Sequence, residues 1–185
     1  VANFYRVAQL IEMREVERRA HFDSIIRLRD DSIAVLPYVV PVPALVTQGN
    51  QKVRGCLFKR CMSWGGVNDK LSVCDRRHMD VMYRSIAVDI FWQKEHPLMT
   101  THTEAALKSQ LHHYKVPYEE LGTEDGAGTM PFVIARPPCY CPQKGLLDPT
   151  NQMRAPWCLV GKGLDCRPPG LPHNSPFYTF TEYYR

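Results

Sequence analysis

The spacing of apolar side chains along the chain predicts three helices. Between residues 3 and 19 apolar residues recur every three or four positions, and the segment becomes strongly charged toward its end. This pattern is typical of an amphipathic helix packed on a core. Similar spacing predicts helices from Arg76 to Trp92 and within "THTEAALKSQLHHY", where Thr101 or Thr103 would serve as the N-cap.

Alternation of side chains predicts the strands. In "HFDSIIRLRDDSIAVLP" successive residues alternate between two faces, and Pro37 ends the strand. One face carries Ile25, Arg27, Arg29 and Asp31, and the other carries Ile26 and Leu28. Shorter strands are expected in "KVRGCLFKRC" and "MPFVIARP", and the prolines of "VVPVPALV" indicate an extended connection or an edge.

The order of these elements and a change in composition divide the chain into two parts. Helix, strand, helix, helix and strand follow one another through residues 1–138, which points to an α/β layer architecture. Residues 139–185 are rich in proline and cysteine and are expected to form a loop-rich tail. The order of that tail would come from disulfides or from packing on the main body.

Composition and charge narrow the class of protein. A chain of 185 residues with 44% hydrophobic and 23% charged residues is typical of a globular domain with a sizeable core. The net charge of +4 is mild, and the early arginines alternate with acids, so nucleic acid is not an expected partner. No apolar run reaches the roughly 18 residues that a membrane-spanning helix needs, so no membrane segment is expected in this chain.

The cysteine content favours an oxidising compartment. The seven cysteines would allow up to three bridges with one thiol left over. They are Cys56, Cys61, Cys74, Cys139, Cys141, Cys158 and Cys166. The last four are expected to hold the tail through disulfides. Cys139 and Cys141 are two positions apart, and cysteines at this spacing rarely bridge each other, so each is expected to pair with a more distant cysteine.

One cysteine cluster also fits a small zinc site. Cys56, Cys61, Cys74 and His78 have the spacing of two ligands, a twelve-residue loop and two further ligands. That loop contains a Gly-Gly step and lacks the basic helix that a DNA-binding zinc finger inserts into a groove. The same cysteines are equally consistent with disulfide partners or buried thiols.

Two polar segments are candidates for a binding site. Adjacent carboxylates at the end of a strand, Asp30 and Asp31, can present oxygen ligands to a divalent metal, or form an ordinary solvated strand end. In "SWGGVNDK", Asn68 and Asp69 could bind hydroxyl groups, and Trp64 could stack on a sugar ring. The alternative for this second segment is a hairpin turn beside a core tryptophan.

Three stretches together resemble a GT-A-type glycosyltransferase domain, in a broad group of eukaryotic and viral glycosyltransferases with a degenerate metal motif. They are "FYRVAQLIEMREVERRAHFDSIIRLRDDSIAVLP", with its Arg-x-Arg-x-Asp motif, "WGGVNDKLSVCDRRHMDVMY", with Gly-Val-Asn-Asp-Lys, and "TEAALKSQLHHYKVPYEEL…MPFVIARP", similar to a closing helix that starts with a glutamate and leads to a last strand. The resemblance covers roughly residues 3–138. It implies a GT-A-like fold that is incomplete at the N-terminus, because the strand–helix unit that holds the nucleotide base is not in this chain.

The resemblance assigns roles to the candidate residues. It implies that Asp31, with Asp30 beside it, holds Mn²⁺ or Mg²⁺ on a nucleotide diphosphate. It implies donor contacts from Arg27, Arg29, Trp64, Gly65, Gly66 and Asn68. Asp69 is the implied general base if the transfer inverts configuration.

These observations lead to two expectations about function. The first is transfer of a sugar from a nucleotide-sugar donor to a glycan, protein or lipid acceptor, in the Golgi lumen or outside the cell, with little activity from this chain alone. The second is a non-catalytic, cysteine-rich binding or assembly module. If Cys56, Cys61, Cys74 and His78 bind zinc, this module would carry a zinc ion.

Overall fold

The structure is a computed structural model that combines helices with mixed sheets. It describes residues 2–29, 32–34, 39–60, 65–92, 102–121, 130, 132–136, 157–161 and 178–182. The chain divides into two compact units. The first contains residues 1–27, 40–58 and 63–120, and the second contains residues 28–39, 59–62 and 121–185.

The described helices fall in three regions of the chain. They are α1 (Ala2–Arg18), α2 (Arg76–Asp80), a π-helical turn (Val81–Ser85), α3 (Ile86–Trp92) and α4 (Thr103–His113). All three regions agree with the helices predicted from apolar spacing. The π-helical turn was not predicted, because a single wide turn leaves the apolar spacing of a short helix almost unchanged.

The described strands form two four-stranded sheets and a hairpin. The strands are β1 (Ser24–Leu28), β2 (Ser32–Ala34), β3 (Leu45–Gln48), β4 (Gln51–Arg54), β5 (Cys56–Lys59), β6 (Leu71–Asp75), β7 (Tyr118–Leu121), β8 (Phe132–Arg136), β9 (Trp157–Gly161) and β10 (Tyr178–Glu182). One sheet has the order β1-β6-β5-β7, the other has the order β10-β9-β8-β2, and β3 pairs with β4. Strands β5 and β6 are antiparallel, as are β2 with β8 and β8 with β9, whereas β9 and β10 are parallel.

The prediction of one continuous strand for "HFDSIIRLRDDSIAVLP" is wrong in its length. The segment forms two strands, β1 and β2, which belong to different sheets. The predicted alternation holds within β1, where Ile25 packs against the core while Ile26 and Leu28 are exposed. Period-two alternation continues across a break between strands, so it could not show where one sheet ends and the other begins.

The core of the first unit lies between its sheet and its helices. Every residue of β5 and β6 is buried, as expected for the two inner strands of a four-stranded sheet. The core cluster is made of Ala8, Cys56, Phe58, Val67, Cys74, Met79, Met82, Tyr83, Ile86, Ala106, Leu107, Leu111 and Val116. Methionine and aromatic residues of the Arg76–Trp92 region therefore serve as packing residues, as their helical spacing predicted.

A buried ion pair fixes the end of α1 to the start of α2. The Arg76 guanidinium donates to both oxygens of Glu15, at 2.8 and 2.9 Å, and the Phe22 amide donates to the same carboxylate at 3.0 Å. The hydrogen bond from Arg76 lowers the pKa of Glu15 to about 2. Glu15 is thus ionised whenever the protein is folded near neutral pH, and the pair ties together two elements far apart in sequence.

Helices α1 and α4 end in the same way. The amides of Arg19 and Ala20 donate to carbonyls three and five residues earlier, and the amides of Lys115 and Val116 repeat this pattern after α4. Arg19 and Lys115 have φ angles of 53° and 52°. This is the Schellman arrangement with a cationic residue at the left-handed position, where glycine is the usual choice.

A second polar cluster joins α3 to α4. Asp89 is almost fully buried, and its carboxylate accepts hydrogen bonds from Gln110 Nε2 at 2.5 Å and from the Tyr114 hydroxyl at 3.1 Å. Burial, followed by the contact with Asp89, raises the pKa of Tyr114. Two neutral donors therefore hold this buried carboxylate and fix the position of α4, the helix that carries one side of the candidate site.

Candidate functional site

The Gly65–Lys70 segment lies directly against the first turn of α4. A Cβ atom built on Gly66 would lie 2.0 Å from the carbonyl carbon and oxygen of Glu104, far inside van der Waals contact. The Val67 amide donates to that carbonyl oxygen at 3.2 Å. The Gly-Gly step therefore serves a close approach of two backbones, because only glycine fits at position 66.

The residues after the glycines form a compact turn that leads into β6. The Asn68 side-chain oxygen accepts a hydrogen bond from the Lys70 amide at 2.8 Å, as in an Asx turn. Asn68 is 2% exposed and Asp69 is 8% exposed. The strand that follows, β6 (Leu71–Asp75), is fully buried in the sheet.

Three charged side chains meet at the junction of this turn with α4. Lys70 Nζ lies 2.5 Å from Asp69 Oδ1 and 2.7 Å from Glu104 Oε1. All three residues are buried. Removal of Lys70 would leave two carboxylates together in a buried position, which is why breaking such a pair usually costs several kcal/mol.

Helix α4 begins with a histidine cap at the same place. His102 Nδ1 accepts a hydrogen bond from the Ala105 amide at 3.2 Å, and His102 has extended backbone angles. The prediction that Thr101 or Thr103 caps this helix is therefore wrong. Threonine is the better cap by intrinsic preference, but Thr103 is already the first helical residue.

The structure brings together part of the predicted site. Gly66, Asn68 and Asp69 lie in one buried group with Lys70 and Glu104, and Gly65 lies beside them with its surface exposed. Glu104 was not predicted as a site residue, since it lies 34 positions from Lys70. The resemblance already marked a glutamate at the start of the closing helix, and this was the available signal.

The other predicted site residues are distributed differently. The Arg27 guanidinium lies 4.8 Å from the centre of the Phe4 ring, over its face. Arg29 follows the end of β1 and is half-buried. Asp30, Asp31 and Trp64 lie outside the described residues, so the predicted metal ligands and the stacking tryptophan stay predictions. Within the described ranges, no group of three or more His, Cys, Asp or Glu side chains is arranged to hold a metal ion.

A disulfide joins two of the four residues that the zinc alternative requires as ligands. Cys56 and Cys74 lie directly opposite each other on β5 and β6, fully buried, and are joined by a disulfide. A disulfide supplies no thiolate, so two of the four ligands of the proposed zinc site are lost. In this structure Cys56 and Cys74 therefore pair with each other, one of the alternatives that the sequence leaves open, while Cys61 lies outside the described residues and the zinc alternative stays a prediction for the reduced chain.

Comparison with protein-family models, with curated proteins and with solved structures found no match to this chain. Among the described residues, none of the helices has the length and apolar character needed to cross a membrane.

Proposed function

We propose that the chain is a GT-A-like glycosyltransferase domain that transfers a sugar from a nucleotide-sugar donor to a hydroxyl acceptor. The observation that carries the proposal is the buried cluster of Asp69, Lys70 and Glu104. It joins two of the three stretches on which the resemblance rests, the Gly-Val-Asn-Asp-Lys segment and the closing helix that starts with a glutamate.

The energetics of the cluster support a functional role. A buried group of two carboxylates and one lysine adds little net stability compared with apolar side chains of similar size. A simple turn could pack against α4 with Gly66 alone and would not need the charges. Fixed carboxylates of this kind occur both in structural ion-pair networks and in catalytic sites, and the position of this cluster within two of the resembling stretches favours the catalytic role.

In the proposed reaction Asp69 accepts the proton of the acceptor hydroxyl if the transfer inverts configuration. Lys70 fixes the direction of the Asp69 carboxylate. Under the proposal, Asn68 would bind sugar hydroxyls through its side-chain amide nitrogen, since its oxygen accepts from the Lys70 amide. A divalent cation at Asp30 and Asp31 would neutralise charge on the departing nucleoside diphosphate. Of these groups, the described residues include the proposed base, Asp69, and the residue that orients it, Lys70.

A second candidate function is a non-catalytic binding or assembly module of the secretory pathway or the cell exterior. One observation favours it: the contact of Gly66 with Glu104 gives the Gly-Gly step a purely structural use. The Cys56–Cys74 disulfide fits the oxidising compartment expected under both functions. Under this alternative Asp69 is a structural residue and no donor is bound.

The test is a transfer assay with a panel of nucleotide sugars and Mn²⁺, following release of the nucleoside diphosphate. It should use this chain and a longer chain with any sequence encoded upstream, because the resemblance implies that the upstream part binds the base. We expect Asp69→Asn to lower the transfer rate about 100-fold or more. Asp23→Asn, which removes a charge from an exposed residue of the same unit, is the matched control.

Two results would overturn the proposal. One is an active long chain whose rate is the same with Asp69→Asn as with Asp23→Asn. The other is the absence of donor binding and transfer in both chains across the whole panel, which favours the non-catalytic module.

A further inference from the structure

The structure assigns a second role to His102: we propose that this residue makes the start of α4 sensitive to pH. The inference concerns the helix that carries Glu104, but its test does not depend on the proposed transfer activity. It rests on the contacts of a single ring nitrogen.

The cap requires His102 Nδ1 to be without a proton. Nδ1 accepts a hydrogen bond from the Ala105 amide at 3.2 Å, and only the unprotonated nitrogen of a neutral imidazole can accept. The hydroxyl and amide caps of most helices keep their acceptor atoms over the whole physiological range of pH. A histidine cap loses its acceptor when the ring becomes charged.

The Nδ1 atom of His102 also contacts Glu104, and this contact favours the protonated form of Nδ1. Nδ1 lies 3.3 Å from Glu104 Oε2, a contact that is attractive only when Nδ1 carries a proton. The two contacts of this atom thus require opposite protonation states, and His102 can make only one of them at a time. The His102 side chain is 37% exposed, so protons reach it without unfolding.

The charged groups around the ring link this choice to the buried cluster. Among the described residues, Glu104 contacts the ring from α4, the Glu104 carboxylate also contacts Lys70 of the Gly65–Lys70 segment, and Lys70 contacts Asp69. Lys70 Nζ holds the other oxygen of Glu104. A protonated His102 would give up the Ala105 amide and bind the Oε2 oxygen of Glu104 while Lys70 holds Oε1. It also places a positive charge at a helix N-terminus, where the dipole disfavours it.

Acidification should therefore loosen the first turn of α4 and its contact with the Gly65–Lys70 segment. Two amides report these changes independently. The Ala105 amide reports the cap, and the Val67 amide, which donates to the Glu104 carbonyl, reports the contact between the segments. Loss of one N-cap is expected to lower the protection of Ala105 from hydrogen exchange about fivefold.

The experiment is ¹⁵N NMR with amide exchange at about pH 8 and about pH 5.5, a range over which histidine side chains change charge. It compares the unmodified chain with His102→Asn, which keeps a cap that does not titrate, and with His113→Asn, which removes a histidine from the far end of α4. Protection factors are corrected for the intrinsic effect of pH on exchange.

We expect Ala105 and Val67 to lose protection at the lower pH in the unmodified chain and in His113→Asn, and to keep it in His102→Asn. Equal protection of Ala105 at both pH values in the unmodified chain would overturn the inference. So would an equal loss in His102→Asn. If that variant does not fold, the unmodified chain decides alone: the Ala105 amide shift must change together with the ring nitrogen shifts of His102 between the two pH values.

Discussion

Substitution of Gly66 by alanine tests the close approach of the Gly65–Lys70 segment to α4. The added Cβ would meet the carbonyl carbon and oxygen of Glu104 at 2.0 Å and the amide nitrogen of Ala105 at 2.4 Å. Carbon atoms in contact normally lie about 3.5–4.0 Å apart. The segment must therefore move away from the helix by more than an ångström.

The loss of stability caused by Gly66→Ala depends on which atoms can move to relieve the overlap. Overpacking costs about 1–3 kcal/mol where side chains can rotate away. At Gly66 the atoms that are met belong to the backbone of a helix, so the cost lies at the upper end of that range. Loss of the hydrogen bond from the Val67 amide to Glu104 adds about 1 kcal/mol. We therefore expect Gly66→Ala to lower the free energy of unfolding by about 3–4 kcal/mol, a large part of the total for a domain.

The measurement is urea unfolding followed by circular dichroism. With a slope of about 2 kcal/mol per molar, the midpoint should fall by about 1.5–2 M at unchanged slope. Gly65→Ala is the matched control, since Gly65 has a φ of 83° and open space around its Cβ position. It should cost only the backbone strain, about 1–2 kcal/mol. If Gly66→Ala shifts the midpoint no more than Gly65→Ala, the close packing described here is wrong.

Three further predictions concern the ion pair, the disulfide and a helix end. Arg76→Ala should destabilise the protein by about 3 kcal/mol at neutral pH, because it leaves Glu15 buried without its cation. Since the pair lowers the pKa of Glu15 from 4.5 to about 2, its stabilisation is complete above about pH 4.5 and is lost as pH falls to about 2, so the deficit of the variant should shrink over that window. Reduction of the Cys56–Cys74 disulfide, which spans 18 positions, should lower the free energy of unfolding by about 3 kcal/mol. Arg19→Gly should raise it by about 0.5–1 kcal/mol, because glycine adopts the left-handed conformation without strain.

Each of these predictions has a control. Arg77→Ala removes the exposed neighbour of Arg76 and should have little effect at any pH; a deficit for Arg76→Ala that does not change between pH 7 and pH 2.5 would contradict the role of Glu15. A Cys56→Ala/Cys74→Ala variant should lose the part of the response to reductant that comes from this bridge, and any remaining response then belongs to the other five cysteines. Lys115→Gly should stabilise the protein by a similar amount to Arg19→Gly, and a loss of stability in both would refute the strain argument.

The elements with a strong period were predictable from the sequence, and those set by tertiary contacts were not. Helix α1 follows from residues 3–19, where the apolar spacing and the charged end agree. Strand β7, in contrast, was missed, since "YEEL" has no apolar alternation and pairs with β5 as part of the sheet. Local propensity carries no information about a partner that lies about sixty residues away.

The candidate site shows the same division. Asn68 and Asp69 attracted attention because a carboxamide and a carboxylate after two glycines are unusual within an apolar region. Glu104 did not, because its relation to Lys70 exists only after α4 has docked. The cap of α4 was assigned to threonine for the same reason: intrinsic preference favours threonine, whereas the position of the first helical turn selects His102.

The disulfide has a topological consequence for the segment that carries the candidate site. It closes the chain between Cys56 and Cys74 into a covalent ring, and the whole stretch from Gly65 to Lys70 lies inside that ring. A protease that cuts one peptide bond within the ring separates nothing, because the bridge still joins the two pieces. Nicked protein should therefore migrate as a single band without reductant and as two bands after reduction.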